Sequence, residues 1–196
     1  MKNVLITCAQ TPFGQALAQV FEREGYRVFS PDNDLPDALD FLVDTTDFTH
    51  PADIFTVTDG IDTDVIAQVY RQNVIGPMAT LEGMLPLLDA GEGKRLCYIS
   101  GARASINETR DTKGYAYNMS KAGLHQFLQL VSNKLTPMGY TFRVYDPMGE
   151  KIAPQAAAEG AFHYFTRRRG TENFDIRRDD ENNLAMRDAE GRLHGW

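Results

Sequence analysis

Short apolar runs that alternate with longer stretches of helical periodicity predict an α/β protein, built as a doubly wound parallel sheet with helices on both faces. Two observations carry this reading. Strand-like runs recur at residues 2–7, 26–30, 40–43, 95–100 and 140–145, and long helical patterns separate most of them. Parallel strands need crossover connections of that kind, and right-handed crossovers place a ligand site at the carboxyl ends of the strands.

The elements follow in chain order. Residues 2–7 form a short apolar run with polar flanks, the signature of a buried strand. Phe13, Leu17, Val20 and Phe21 then recur at helical spacing, and Gly25 stands where a helix should stop. Residues 26–30 give a second strand, and Pro31-Asp32-Asn33-Asp34-Leu35-Pro36 gives a turn. Residues 40–43 read as a third strand. Residues 64–88 are apolar at helical spacing, with Pro77 expected to kink or divide the helix. A fourth strand at 95–100 precedes a long helix over Tyr115–Leu135, whose apolar stripe contains Leu124, Phe127, Leu128, Val131 and Leu135. A fifth strand at 140–145 ends at Asp146-Pro147, a helix is expected over 153–168, and a last short strand over 184–186. The charge-rich segment 167–188 reads as a surface loop.

Composition bounds the function. The chain has 196 residues and a formal net charge of −7, with 42% hydrophobic and 24% charged residues. One soluble domain spanning residues 1–196 is expected, large enough to bury a core without metal or disulfide staples. The acidic balance argues against nucleic acid as a partner. No apolar run is long enough to span a bilayer, and the apolar stretch at the N-terminus is too short for a signal peptide. Cys8 and Cys97 make neither a disulfide framework nor a zinc set, so a reduced, cytoplasmic protein without membrane association is expected. His50, His125, His163 and His194 show no metal-ligand spacing. The arginines at 167–169, 177 and 178 are followed by Asp179-Asp180-Glu181, which reads as a self-neutralised surface.

The chemistry concentrates at Tyr117 and Lys121. Four residues apart on a helix, they share one face. A phenol ionises near pH 10, and a neighbouring ammonium favours the phenolate, so the pair suits proton exchange with a substrate oxygen.

The stretch Tyr115-Ala116-Tyr117-Asn118-Met119-Ser120-Lys121-Ala122-Gly123-Leu124 resembles the active-site helix of the short-chain dehydrogenase/reductase family. Asn73-Val74-Ile75-Gly76-Pro77, followed by Leu85-Pro86-Leu87-Leu88, is similar to that family's helix with its catalytic Asn. Residues 96–100 resemble its next strand, and residues 2–14 its nucleotide-binding turn. Ser105-Ile106-Asn107 before Tyr117, and the ending Asp188-Ala189-Glu190-Gly191-Arg192-Leu193-His194-Gly195-Trp196, are similar to the branch of carbonyl reductases and C-factor-like proteins.

The resemblance implies a Rossmann-like doubly wound parallel sheet and a nicotinamide dinucleotide cofactor. It makes Tyr117 the acid/base. Lys121 would lower the Tyr117 pKa and hold the nicotinamide ribose, and Asn73 would hold a water in the proton relay. Thr7, Gln10, Phe13, Gly14, Thr45 and Pro147 would line the cofactor. Asp32, at the end of the second strand, would accept from the adenosine ribose and repel a 2′-phosphate, favouring NAD over NADP. A homodimer or homotetramer, packed through the two long helices, is implied as well.

The chain also departs from the pattern. The turn Thr7-Cys8-Ala9-Gln10-Thr11-Pro12-Phe13-Gly14 keeps only the last family glycine, and Pro12 has no N–H to offer a phosphate. Asp44-Thr45-Thr46-Asp47 replaces Asn-Asn-Ala-Gly, with Asp44 expected to bring negative charge to the cleft. Gly101 falls at the catalytic serine position. Ser100, one residue earlier, is the candidate for that role, although strand alternation points it to the other side. The family's third strand and its helix have no counterpart between Asp32 and Asp40, and the substrate loop after Pro147 is short. The expected activity is NAD(H)-dependent reduction of a carbonyl or oxidation of an alcohol, on a small-molecule substrate. The alternative is a non-catalytic nucleotide-sensing or assembly protein on the same scaffold.

Overall fold

A computed structural model describes residues 1–149, 151–167 and 184–195. Among the described residues, seven strands form one sheet in the order β2-β1-β3-β4-β5-β6-β7. They are β1 (Asn3–Ile6), β2 (Arg27–Phe29), β3 (Phe41–Asp44), β4 (Arg95–Ile99), β5 (Thr141–Asp146), β6 (Met186–Asp188) and β7 (Leu193–His194). All pairings are parallel except β6 with β7, which closes the edge as an antiparallel hairpin. The chain passes from β2 to β3 with no strand or helix between them, so the third strand and helix of the family are absent, as the sequence implied.

Strand alternation decides which helices cover which face. Val4, Ile6, Phe41, Val43, Cys97, Ile99 and Tyr145 point to one side, where they pack with α1 (Pro12–Arg23) and α5 (Pro154–Thr166). Leu5, Leu42, Leu96, Tyr98, Phe142 and Val144 point to the other, against α3 (Gly76–Ala90) and α4 (Tyr115–Leu135). With apolar residues on both faces, the central strands read as continuous hydrophobic runs.

Local chemistry sets the helix ends. Thr11 caps α1 by accepting from the Gly14 N–H, Pro12 occupies the first turn, and Gly25 follows the helix at φ +83°. Asp62 caps α2 (Thr63–Tyr70) by accepting from the Asp64 and Val65 N–H groups. The expected break at Pro77 falls earlier. A wide turn at Arg71–Ile75, which contains Asn73, separates α2 from α3, and Pro77 sits in the first turn of α3, where it is tolerated.

The last strand lies two residues later than the pattern 184–186 suggested, because its register is set by pairing Val144 with Met186 and Asp146 with Asp188. The two-residue β7 is too short to carry a periodic signal. Residues 168–183, which hold most of the predicted surface loop, its acidic cluster and its arginines other than Arg167, lie outside the described residues, as does Trp196. No helix among the described residues is long and apolar enough to cross a membrane.

Candidate active site

At the carboxyl ends of the strands lies a cavity of about 790 Å³. Its walls come from the β1–α1 turn (Cys8, Thr11, Pro12, Phe13), from Thr45, Thr46 and Asp47 after β3, from Gly101 and Arg103 after β4, and from Asp146, Pro147 and Met148 after β5. Tyr117 reaches it from α4, and Arg192 and His194 from the terminal hairpin. This is the crevice that a doubly wound sheet opens where successive strands diverge, here between β1 and β3.

The first turn of α4 is positioned from a distance. Gly114 precedes the helix and offers no side chain, so the Asp53 carboxylate supplies the cap, accepting from the Ala116 N–H at 3.0 Å and the Tyr117 N–H at 2.8 Å. One turn on, Ser120 donates to the Tyr117 carbonyl at 2.8 Å and accepts from Asn73 Nδ2 at 2.9 Å.

Tyr117 and Lys121 meet at one oxygen. The Tyr117 hydroxyl donates to Asp47 Oδ1 at 2.8 Å, and Lys121 Nζ lies 3.0 Å from the same atom. The Lys121 ammonium is fully buried, and donates also to the Thr46 carbonyl at 2.7 Å and the Ile99 carbonyl at 3.2 Å. Three donors thus face three acceptors, the condition for burying an ammonium. The Asp47 side chain stays 42% exposed, open to the cavity.

This arrangement reverses one expectation. Lys121 was expected to lower the Tyr117 pKa, but the phenol is pushed well above its ordinary value. Burial is the main cause, followed by the Asp47 carboxylate, which also accepts its proton, and by Asp146; the Arg103 guanidinium opposes them. Arg103 lies 5.4 Å from the Tyr117 ring centroid and is anchored by Asp111 at 2.6 Å.

Ser100 is corrected in role, and the Asn73 side chain is engaged by its neighbours. Strand parity carries Ser100 to the α4 face with Leu96 and Tyr98, and its hydroxyl bonds His125 Nε2 at 2.7 Å, away from Tyr117. Burial and the nearby Lys121 charge lower the His125 pKa to about 3, so this imidazole is neutral. The side facing Tyr117 belongs to Gly101, which has no donor of its own. Asn73 is fully buried with its side chain committed: Oδ1 accepts from the Phe48 N–H at 2.9 Å, and Nδ2 donates to the Phe48 carbonyl and to Ser120. It fastens the segment after β3 to α4 rather than presenting a free amide to a water.

The remaining sequence-selected positions divide. Phe13, Thr45 and Pro147 line the cavity. Thr7 lies beneath it, its hydroxyl accepting from the Thr45 N–H at 2.9 Å while the Thr45 hydroxyl donates to the Thr7 carbonyl. Gln10 and Asp32 are exposed, Gln10 in the β1–α1 turn and Asp32 in the turn after β2. Gly14 is packed against the Cys8 carbonyl, and its N–H is taken by Thr11. Asp44, expected at the cleft, is buried instead. It accepts from the Thr46 N–H at 2.9 Å, and burial raises its pKa. The carboxylate that reaches the cleft is Asp47. Asp146 is the other acid that motif reasoning passed over. It accepts from the Ala102 and Met148 N–H groups at 2.8 Å each, tying together the loops after β4 and β5.

No family model matches the chain. Over 82 residues it is 30% identical to the C-signal of Myxococcus xanthus, a match that covers 42% of this chain and 49% of that protein. Over 78 residues it is 32% identical to an uncharacterized oxidoreductase of Saccharomyces cerevisiae, covering 40% of this chain and 30% of that one. The chain therefore spans about half or less of the curated relatives it matches.

Solved structures match throughout. A carbonyl reductase of Pseudomonas aeruginosa PAO1 in complex with NADP superposes with a TM-score of 0.76 at 16% identity, over 100% of both chains. The carbonyl reductase Sniffer of D. melanogaster gives 0.77 at 15%, again over 100% of both. A short-chain dehydrogenase/reductase family oxidoreductase of Brucella ovis with partially ordered NAD gives 0.65 at 17%, over 85% of this chain and 93% of that one. At such identities the likeness is one of fold.

Proposed function

Starting from a chain with the fold of the short-chain dehydrogenase/reductases, we propose an oxidoreductase that moves hydride between a nicotinamide dinucleotide and a small carbonyl or alcohol. The observation that carries this reading is the convergence of the Tyr117 hydroxyl and the Lys121 ammonium on a single atom at the edge of the cavity. A proton donor and a fixed cation share one spot at the carboxyl end of the sheet, where this architecture binds ligands.

The residues fit such a cofactor. The cavity runs from the N-terminus of α1 to Tyr117, and its size is in the range of small-molecule and cofactor sites. Lys121 has one donor directed at that edge beyond those spent on the Thr46 and Ile99 carbonyls. When bound, the nicotinamide supplies or takes the hydride. During reduction Tyr117 gives its proton to the carbonyl oxygen. Its raised pKa keeps the hydroxyl protonated and ready as an acid, and the buried Lys121 charge compensates the phenolate left behind. Asp32 in the turn after β2 favours NAD, since its carboxylate would repel a 2′-phosphate. The α1 N-terminus is a modest phosphate site, because Pro12 has no N–H and Thr11 already holds that of Gly14. Weak dinucleotide binding is the consequence. We further propose a homo-oligomer, packed through the α3 and α4 faces that expose Met78, Met119 and Leu130.

A nucleotide sensor on the same scaffold is the second reading, favoured by Gly101, which leaves the carbonyl without the usual hydroxyl donor. The test is a titration with NADH and NADPH, followed by thermal unfolding and then by reduction of a panel of aldehydes and ketones. A ligand at 100 times its dissociation constant adds about 2.7 kcal/mol of stability. Stabilisation by NADH with carbonyl turnover supports the oxidoreductase, and stabilisation without turnover supports the sensor. No shift with either nucleotide at millimolar concentration removes both.

A further inference from the structure

Asp47 stands at the Tyr117–Lys121 pair as a ligand would. Both donors are spent on its Oδ1, at 2.8 and 3.0 Å. The carboxylate comes from the segment directly after β3, whose preceding residue, Thr46, gives its carbonyl to the same ammonium. The site is thus filled by the chain itself, with an anion in place of a neutral hydroxyl.

We infer that Asp47 is an internal competitor for the nicotinamide nucleotide, which enters only as the Asp47 carboxylate leaves Tyr117 and Lys121. This rests on the proposed function and names the residue that governs access to that site. The geometry makes the exchange feasible. Asp47 is 42% exposed, so it can move into water at little desolvation cost. Lys121 keeps the Thr46 and Ile99 carbonyls when Asp47 departs, so the buried ammonium is never without acceptors. The donor it frees on Lys121 suits a ribose hydroxyl, and the Tyr117 hydroxyl, released with it, is left for the substrate oxygen. The Asp47 carboxylate and a ribose cannot take the same ammonium donor at once, so every molecule of nucleotide bound displaces the internal contact. The apparent affinity falls by the fraction of molecules in which the site is open.

The charge has a chemical consequence as well. Tyr117 faces Asp47, Asp146, Arg103 and Lys121. With Asp47 in place, a phenolate would form beside a second anion. Once it has left, the Arg103 and Lys121 cations, 5.4 and 5.8 Å from the ring centroid, face the phenol with Asp146 as the one acid remaining among those that raise its pKa. The closed state therefore protects the phenol proton, and the open state allows its transfer.

The experiment compares the wild-type chain with Asp47→Asn and Asp47→Gly in two assays. Fluorescence titration with NADH reads binding, and ultraviolet difference titration reads tyrosine ionisation without any cofactor. Thermal melts of the free proteins report folding. Removing one charge-assisted contact predicts tighter NADH binding by about tenfold to a hundredfold for Asp47→Gly, with Asp47→Asn between it and the wild type. One tyrosine should also ionise at lower pH in both variants. Binding that appears only in the variants supports the inference too. Equal NADH affinity in all three chains overturns the inference and leaves the proposed function standing. No binding in any of the three overturns both, and an unmoved tyrosine titration overturns the claim that Asp47 holds the phenol.

Discussion

A methyl carbon built on Gly101 would stand 3.5 Å from the Tyr117 hydroxyl oxygen and 3.8 Å from Asp146 Oδ2, both ordinary contact distances. The backbone there is extended, at φ −158°, so any residue accepts it. Gly101→Ser therefore fits without strain and puts a hydroxyl beside the proton donor. Adding the missing oxyanion-side donor predicts a gain in carbonyl reduction of about 10²-fold, the size of the loss when such a donor is removed. Steady-state rates with NADH check it, with the melting temperature as control. Unchanged turnover in a folded variant would show that this position does not face the reacting carbonyl.

Tyr117→Phe removes the hydroxyl and little else, since Asp47 is half exposed and retains Lys121. Reduction should fall by about 10²- to 10⁴-fold while NADH binding persists, because the buried ammonium remains. In the wild type, the raised Tyr117 pKa predicts a pH signature. Burial, the largest cause, and Asp146 still act on the phenol after Asp47 leaves, so the acid stays protonated at neutral and mildly alkaline pH and reduction holds as pH rises, whereas alcohol oxidation, which needs the phenolate, climbs over the same range. A reduction rate that drops near pH 7 would assign the proton to another group.

The fold was legible because its signals are dense and local. Five strands, α1 and α5 announce themselves within a residue or two, and Tyr115–Leu135 has the boundaries its apolar stripe predicts. What escaped depends on contacts distant in sequence. Asp53 caps a helix 63 residues away, and no local motif marks it. Asp44 and Asp47 both belong to the altered motif after β3. Alternation along the strand buries the first against the sheet, whereas the loop geometry that delivers the second to Lys121 has no periodic signature. Ser100 shows the converse: parity alone turned it away from Tyr117, and the structure places it against His125.

His194 bridges two carboxylates, with Nδ1 2.7 Å from Glu108 Oε2 and Nε2 3.0 Å from Asp188 Oδ2, and so clasps the terminal hairpin to the loop after β4. Burial alone would lower its pKa, but the two hydrogen bonds outweigh it and the pKa is raised. Glu108 is lowered, chiefly by its bond to His194. The signs oppose each other. The histidine contribution is complete below its unfolded pKa of about 6.5 and is lost as pH rises through the folded value, whereas the Glu108 contribution is lost as pH falls through its own. His194→Gln should therefore cost most between about pH 5 and 6.5, roughly 1–3 kcal/mol with solvent screening at the half-exposed Glu108, and less at pH 8. Urea unfolding at three pH values measures it. A cost that grows from pH 6 to pH 8 would mean the imidazole is neutral in the fold.

The β1–α1 turn holds a residue with a side chain in a backbone conformation that favours glycine. Cys8 adopts φ +47°, in the left-handed region, while Gly14 packs so closely that a methyl there would lie 2.4 Å from the Cys8 carbonyl oxygen. The two positions predict opposite outcomes. Cys8→Gly relieves left-handed strain of about 1 kcal/mol, less what the added freedom of the unfolded chain takes back, and loses only a weak Sγ contact to the Thr46 hydroxyl at 3.7 Å. Its stability should rise or hold. Gly14→Ala forces backbone against backbone, where neither side can yield as a flexible side chain would, and should cost more than about 2 kcal/mol. Because the same turn borders the cavity, Gly14→Ala should also abolish the stabilisation by NADH, and Cys8→Gly should preserve it. Thermal melts of both variants, with and without NADH, decide the matter. A Gly14→Ala protein as stable as the wild type would mean that α1 starts farther from β1 than this packing requires.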